Sequence, residues 1–130
     1  MIGKAIFNLA IYYLLHRVTG LNNDESRRNH VTVIGLGSMG KAVVKCFAKN
    51  DYSIHAWNRG ERNRQVIKDL HLPNVEVYDQ FYKAVEQSDI VFMHIDAGTN
   101  LANTNTLIRS TSESSSWKDK ILIQFSSHTP

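Results

Sequence analysis

The sequence predicts an α/β domain in which a doubly wound, parallel sheet of about five strands follows an extra N-terminal helix. Two observations support this prediction. From residue 31 onward, short apolar runs alternate with stretches of helical periodicity, which is typical of parallel sheets with right-handed crossovers. The first apolar run, 31–34, also leads directly into a glycine-x-glycine-x-x-glycine turn at 35–40. The chain therefore divides into an N-terminal segment, residues 1–30, and an α/β domain, residues 31–130.

The first half of the domain is predicted from apolar spacing and turn residues. Its elements, in chain order, are a strand at 31–34, a helix at 41–49, a strand at 52–57 and a helix at 62–70. The first helix places its apolar residues on one face and leaves its lysines in water. The second strand follows an Asn-Asp turn and alternates apolar with polar residues. The second helix ends before Pro73, because proline disfavours helix at the residue that precedes it.

The second half continues the alternation. Its predicted elements are a strand at 75–78, a helix at 81–85, a strand at 89–95, a polar helix at 100–110 and a strand at 120–125. Asp79 is a candidate cap for the helix that follows it. The run at 89–95 is almost uniformly apolar, as expected for a central parallel strand that is covered on both faces. The serine-rich stretch 110–116 predicts a loop.

The glycine turn predicts a Rossmann-type dinucleotide site. Gly35 permits the tight turn after the strand, Gly37 lets a phosphate approach the backbone, and Gly40 lets the helix pack closely on the sheet. Unpaired amides at the start of the helix attract an anion. We therefore expect the pyrophosphate to be held by the whole turn, which comprises Gly35, Leu36, Gly37, Ser38, Met39 and Gly40.

The end of the second strand is where this fold binds the adenosine ribose. An acidic residue there would favour NAD, but the chain has Asn58 and Arg59, with Arg64 close behind. A guanidinium can bind a 2′-phosphate through charge-assisted hydrogen bonds, which a carboxylate would repel. The three residues therefore favour NADP, with NAD the less favoured cofactor. The alternative is that these charges form only a solvated start to the second helix.

Two further strand ends are polar. In open α/β sheets, ligands bind beyond the carboxyl ends of the strands. We expect His94, Ile95 and Asp96 to border the nicotinamide side of the cofactor, with an ordinary turn as the alternative. Ser126 and Ser127 follow the fifth strand and are candidate substrate contacts.

Composition excludes several functions. The formal charge of +3 is spread along the chain without a basic stripe, so we expect no nucleic-acid partner. The six histidines show neither paired helical spacing nor cysteine neighbours, so we expect no metal site. Cys46 is the only cysteine, which excludes a disulfide within the chain and fits a reducing compartment such as the cytoplasm.

The N-terminal segment, residues 1–30, combines an apolar helix with a polar linker. Three interpretations stay open. The helix could cover an apolar face of the domain, residues 1–18 could contact a membrane or a partner surface, or the segment could be a targeting sequence, for example a mitochondrial one. The apolar stretch is short for a membrane span.

The motifs together resemble those of the β-hydroxyacid dehydrogenase superfamily, which includes hydroxyisobutyrate and 6-phosphogluconate dehydrogenases and the imine reductases. Residues 35–40 match the family's Gly-Leu-Gly-x-Met-Gly, and Trp57-Asn58-Arg59 is similar to the imine reductases' Trp-Asn-Arg. Residues 126–130 are similar to their Thr-Ser-Gly-Thr-Pro. Two departures are Gly60, where the family usually has Thr or Ser, and His128, where imine reductases have glycine.

The resemblance implies the NADP(H)-binding domain of an oxidoreductase that transfers hydride to or from a carbonyl or imine carbon. The family's catalytic lysine belongs to a helical second domain that residues 31–130 do not include. The resemblance therefore implies no catalytic residue in this domain. A small-molecule substrate would then need a second domain or chain. The alternative is a non-catalytic NADP-binding module that senses redox state or docks on a partner.

Overall fold

The computed structural model describes residues 27–94 and 119–125, together with positions 13, 14, 16, 17, 20, 109 and 117. Parallel strands form a five-stranded sheet in the order β3-β2-β1-β4-β5. The strands are β1 His30–Ile34, β2 Ser53–Trp57, β3 Val75–Val77, β4 Ile90–His94 and β5 Ile121–Phe125. The helices between them are α1 Ser38–Ala48, α2 Glu61–Asp69 and α3 Phe81–Val85. The predicted Rossmann-type fold is confirmed, with its switch point between β1 and β4.

Each face of the sheet carries its own apolar cluster. On one face, β1 and β4 contribute Val33 and Phe92, which join Val44 and Phe47 of α1 in a buried cluster. On the other face, strand residues pack with α3 in a second cluster that includes Ile34, Trp57, Met93, Phe81 and Ala84. Burial on both faces explains why the central strands are apolar without alternation.

The element boundaries differ slightly from the predicted ones, and one cap is different. The prediction that Asp79 caps α3 is wrong, because Gln80 occupies the cap position and makes no side-chain hydrogen bond there. The Asp79 carboxylate instead lies 3.8 Å from Arg64 Nε and 3.7 Å from Lys68 Nζ. Two cations on α2 draw this carboxylate away from the helix that it precedes in the chain. The predicted helix at 100–110, apart from a helical Arg109, and the loop at 110–116 lie outside the described residues.

The N-terminal segment is described at a few positions. Tyr13, Leu14, His16 and Arg17 are helical, and His16 Nδ1 hydrogen-bonds with the Tyr52 hydroxyl. Within the part of the chain that the structure describes, no helix has the length and apolar character needed to cross a membrane.

A chain of polar side chains crosses the sheet on the face that α3 covers. His30 Nδ1 lies 3.0 Å from His55 Nε2, His55 Nδ1 lies 2.9 Å from the Tyr78 hydroxyl, and that hydroxyl donates to Glu76 over 2.9 Å. Because Tyr78 donates its only proton to Glu76, His55 donates from Nδ1 and accepts at Nε2. His55 is therefore neutral in this arrangement. Burial, and to a smaller extent the neighbouring His30, lower the pKa of His55 to about 4.

This depressed pKa predicts acid sensitivity of the fold. The unfolded chain has an ordinary histidine pKa of about 6.5, so between pH 6.5 and 4 the unfolded state binds the proton more readily. Stability is therefore lost as the pH falls through that window, by up to about 3 kcal/mol from His55. We expect this part of the loss to vanish in His55→Phe when both proteins are unfolded by urea at pH 7, 5.5 and 4. If the free energy of unfolding fell equally with pH in the two proteins, this role of His55 would be contradicted.

Candidate functional site

The strand register brings three loops to the same edge of the sheet. Ile34 is paired with Trp57 on β2 and with Met93 on β4, so the residues that follow these strands lie side by side. The Gly35 amide donates to the Trp57 carbonyl over 2.9 Å. This carboxyl edge, at the switch point, is where the predicted site residues Gly35, Asn58 and His94 meet.

Gly35 and Gly40 close the turn by direct contact of backbones. Gly35 has a φ of 94°, which L side chains rarely adopt, and a Cβ there would overlap the His94 carbonyl oxygen. A Cβ at Gly40 would overlap the Gly35 carbonyl oxygen. These two glycines therefore let the first turn of α1 sit against the sheet without any intervening side chain.

Gly37 has a different environment. It is exposed at the N-cap of α1, and a Cβ there would meet no atom of the described part of the chain within 4 Å. The first turn of α1 contains no acidic residue, and no side chain caps it. Helix amides in the first turn have no intrahelical acceptor, and the helix dipole adds partial positive charge. The amides at Ser38 and Met39 therefore provide an open cradle for an anion.

Asn58 connects the glycine turn to the loop after β2. Its Oδ1 accepts a hydrogen bond from the Leu36 amide over 2.8 Å, and its Nδ2 donates to the Gly60 carbonyl over 3.0 Å. The Leu36 amide is therefore already hydrogen-bonded within the protein. Sequence reasoning assigned Asn58 to the ribose and missed this link. A carboxamide directly after the strand was the available signal, because it offers both a donor and an acceptor.

The basic residues near the ribose position differ in their surroundings. Arg59 and Arg62 are exposed, and Arg59 forms no ion pair with any residue that the structure describes. Arg64 Nη1 instead donates to the Asn58 and Arg59 carbonyls over 2.8 and 3.2 Å. The nearest acidic residue along the chain is Glu61, in the first turn of α2. A free guanidinium and a helix-terminal carboxylate therefore flank this part of the site.

His94 ends β4 beside the glycine turn. The residue is half-buried, and its Nε2 atom is fully buried and has no hydrogen-bond partner among the residues that the structure describes. The predicted neighbours Ile95 and Asp96, and the predicted substrate contacts Ser126 and Ser127, lie outside the described residues. Among described side chains, no group of three or more His, Cys, Asp or Glu residues could hold a metal ion.

Comparisons with known proteins agree with this architecture. Residues 30–130 match the family described as the NAD binding domain of 6-phosphogluconate dehydrogenase. No curated protein sequence matches significantly.

Solved structures of imine reductases share the fold. The Myxococcus stipitatus enzyme in complex with NADP⁺ is 26% identical with a TM-score of 0.63, and the Bacillus cereus BAG3X2 enzyme is 26% identical with a TM-score of 0.62. A Myxococcus stipitatus variant in complex with NAD⁺ is 24% identical with a TM-score of 0.64. At this identity, the similarity shows only that the two chains share a fold. Each match covers 77% of this chain and 32% of the other. The chain thus spans about a third of the length of these enzymes.

Proposed function

Because the chain belongs to the family of the NAD binding domain of 6-phosphogluconate dehydrogenase, we propose that it binds NADP at the carboxyl edge of its sheet. The observation that carries the proposal is the open turn at Gly37, where a Cβ atom would meet no atom of the described residues within 4 Å. Beside it, the exposed Arg59 is available to bind a phosphate group. Together these features supply a site for the pyrophosphate and a site for the 2′-phosphate.

The pyrophosphate is proposed to lie against Gly37, Ser38 and Met39. The amides of the first turn point toward such an anion, and the uncapped helix dipole favours its charge. Gly35 and Gly40 serve this site by keeping the turn compact rather than by supplying an open surface. Leu36 contributes shape, because its side chain is fully buried and its amide is bound to Asn58.

The 2′-phosphate is proposed to bind Arg59. The residue that follows β2 is Asn58, so no carboxylate stands at the position that would repel the phosphate. A guanidinium matches phosphate oxygens through paired, charge-assisted hydrogen bonds. Arg62, which is exposed three residues further on, adds to the positive potential.

The reaction is proposed to be hydride transfer between the nicotinamide and a carbonyl or imine carbon of a small molecule. The cofactor carries this chemistry, and the protein supplies binding and orientation. The nicotinamide would then lie near His94, which ends β4 beside the switch point, and near Ile95 and Asp96. Ser126 and Ser127 are the proposed substrate contacts, and no residue of this chain is proposed as the catalytic acid or base.

Arg59→Ala tests the proposed cofactor preference. We expect NADP affinity to fall about 10- to 100-fold, since a hydrogen bond to a charged group contributes about 1.5–3 kcal/mol. NAD affinity should stay unchanged, because NAD has no 2′-phosphate. Calorimetric titration of both cofactors into both proteins measures this. Lys49→Ala, just beyond the opposite end of α1, is the control and should bind both cofactors as the wild type does. Equal losses for NADP and NAD would refute the assignment of Arg59.

A further inference from the structure

Arg64, in α2, is placed differently from the exposed Arg59 and Arg62. Its Nη1 donates to two consecutive backbone carbonyls, those of Asn58 and Arg59. Its side chain is only 15% exposed. The guanidinium is therefore already committed to the loop from which the phosphate-binding side chain of Arg59 projects.

A second contact anchors the guanidinium from the other side. Arg64 Nε lies 3.8 Å from the Asp79 carboxylate, which is too long for a hydrogen bond but close enough for an ion pair. Asp79 stands in the loop between β3 and α3. Arg64 thus connects the loop after β2 to the loop after β3, and turning toward solvent would break its contacts with both.

We propose that Arg64 is a positioning residue that sets the preference for NADP through Arg59 without touching the cofactor. The inference rests on the proposed function. By fixing the two carbonyls, Arg64 holds the backbone at Arg59 in one conformation before the cofactor arrives. Preorganisation of this kind raises affinity because less conformational freedom is lost on binding. The gain applies mainly to the 2′-phosphate, which is the group that Arg59 binds.

A double-mutant cycle separates this role from direct phosphate binding. The readout is the ratio of NAD to NADP dissociation constants, measured by calorimetry for the wild type, Arg59→Ala, Arg64→Ala and the double variant. We expect Arg64→Ala to reduce the ratio about five- to tenfold in the wild-type background and less than about twofold in the Arg59→Ala background, since residues acting through one contact are not additive. Additive effects would show that Arg64 binds the phosphate itself and would overturn the inference.

Two further variants control for charge and for stability. Arg64→Lys keeps the positive charge but lacks the planar fork that reaches two carbonyls, so we expect its ratio to resemble that of Arg64→Ala. A wild-type ratio in Arg64→Lys would mean that charge alone matters and would overturn the inference. Lys68→Ala removes the other cation beside Asp79 and should leave the ratio unchanged. A wild-type protein that binds neither dinucleotide would refute the proposed function, whereas an unchanged ratio in Arg64→Ala would refute only this inference.

Discussion

Gly40→Ala is expected to destabilise the domain by about 3 kcal/mol or more, because overpacking here has no flexible partner to displace. The added methyl group would overlap the Gly35 carbonyl oxygen. Gly35 cannot retreat, since its amide is bound to the Trp57 carbonyl and its α-carbon lies against the His94 backbone. To relieve the overlap, the glycine turn would have to move away from α1 together with β1 and β4.

Urea unfolding of Gly40→Ala beside Gly37→Ala measures this effect. Gly37 has an ordinary φ of −72° and open space around it, so its alanine variant should lose no more than about 1 kcal/mol, as expected when alanine replaces glycine at an N-cap. Similar stabilities for the two variants would show that the turn is not closed by backbone contact at Gly40.

Gly37→Val is expected to weaken binding of both NADP and NAD by about 100-fold, or about 3 kcal/mol. The side chain would fill the space at the N-cap of α1 that we assign to the pyrophosphate. Both cofactors contain that group, so both should lose affinity together. The measurement is calorimetric titration with each cofactor, after a thermal melt has verified that the variant is folded.

The comparison with Arg59→Ala makes this result specific. Gly37→Val should affect the two cofactors equally, whereas Arg59→Ala should affect NADP alone. Retained affinity in a folded Gly37→Val protein would place the pyrophosphate elsewhere. A loss confined to NADP would instead mean that the 2′-phosphate, rather than the pyrophosphate, lies at the helix N-terminus.

Much of the fold was predictable because its determinants are local. The apolar run at β4 reflects burial on both faces of a central parallel strand. Such a strand needs apolar side chains at consecutive positions, and this pattern is visible in the sequence. The need for glycine at Gly35 and Gly40 is similarly visible, since a turn that brings backbones into contact excludes any side chain.

The links between loops were not predictable, because they join residues that only the assembled sheet brings together. Asn58 reaches the Leu36 amide across 22 positions of sequence. The predicted cap at Asp79 failed for the same reason, since local spacing gave no sign that Arg64 and Lys68 approach its carboxylate. Contacts of this kind depend on strand register and on how helices lie against the sheet.

The hydrogen bonds that join His30, His55, Tyr78 and Glu76 were not predictable for the same reason. His30 and His55 lie 25 residues apart. The sequence pattern placed His55 in an alternating strand and His30 in the segment before the first strand. Pairing of β1 with β2 sets His30 opposite Ser53 and Thr32 opposite His55, which lets the two imidazoles stack with ring centroids 5.2 Å apart. The contribution of His30 to the lowered pKa of His55 follows from this register.

Parallel titration of the wild-type protein with NADP and NAD tests the central claim most directly. We predict that NADP binds at least about tenfold more tightly than NAD, and that added salt narrows the difference because the exposed Arg59 charge is screened. Failure to bind either dinucleotide would contradict the claim that the Gly37 turn holds the pyrophosphate. Tighter binding of NAD would contradict the role of Arg59 and would point to Glu61, the carboxylate at the start of α2, as the ribose ligand.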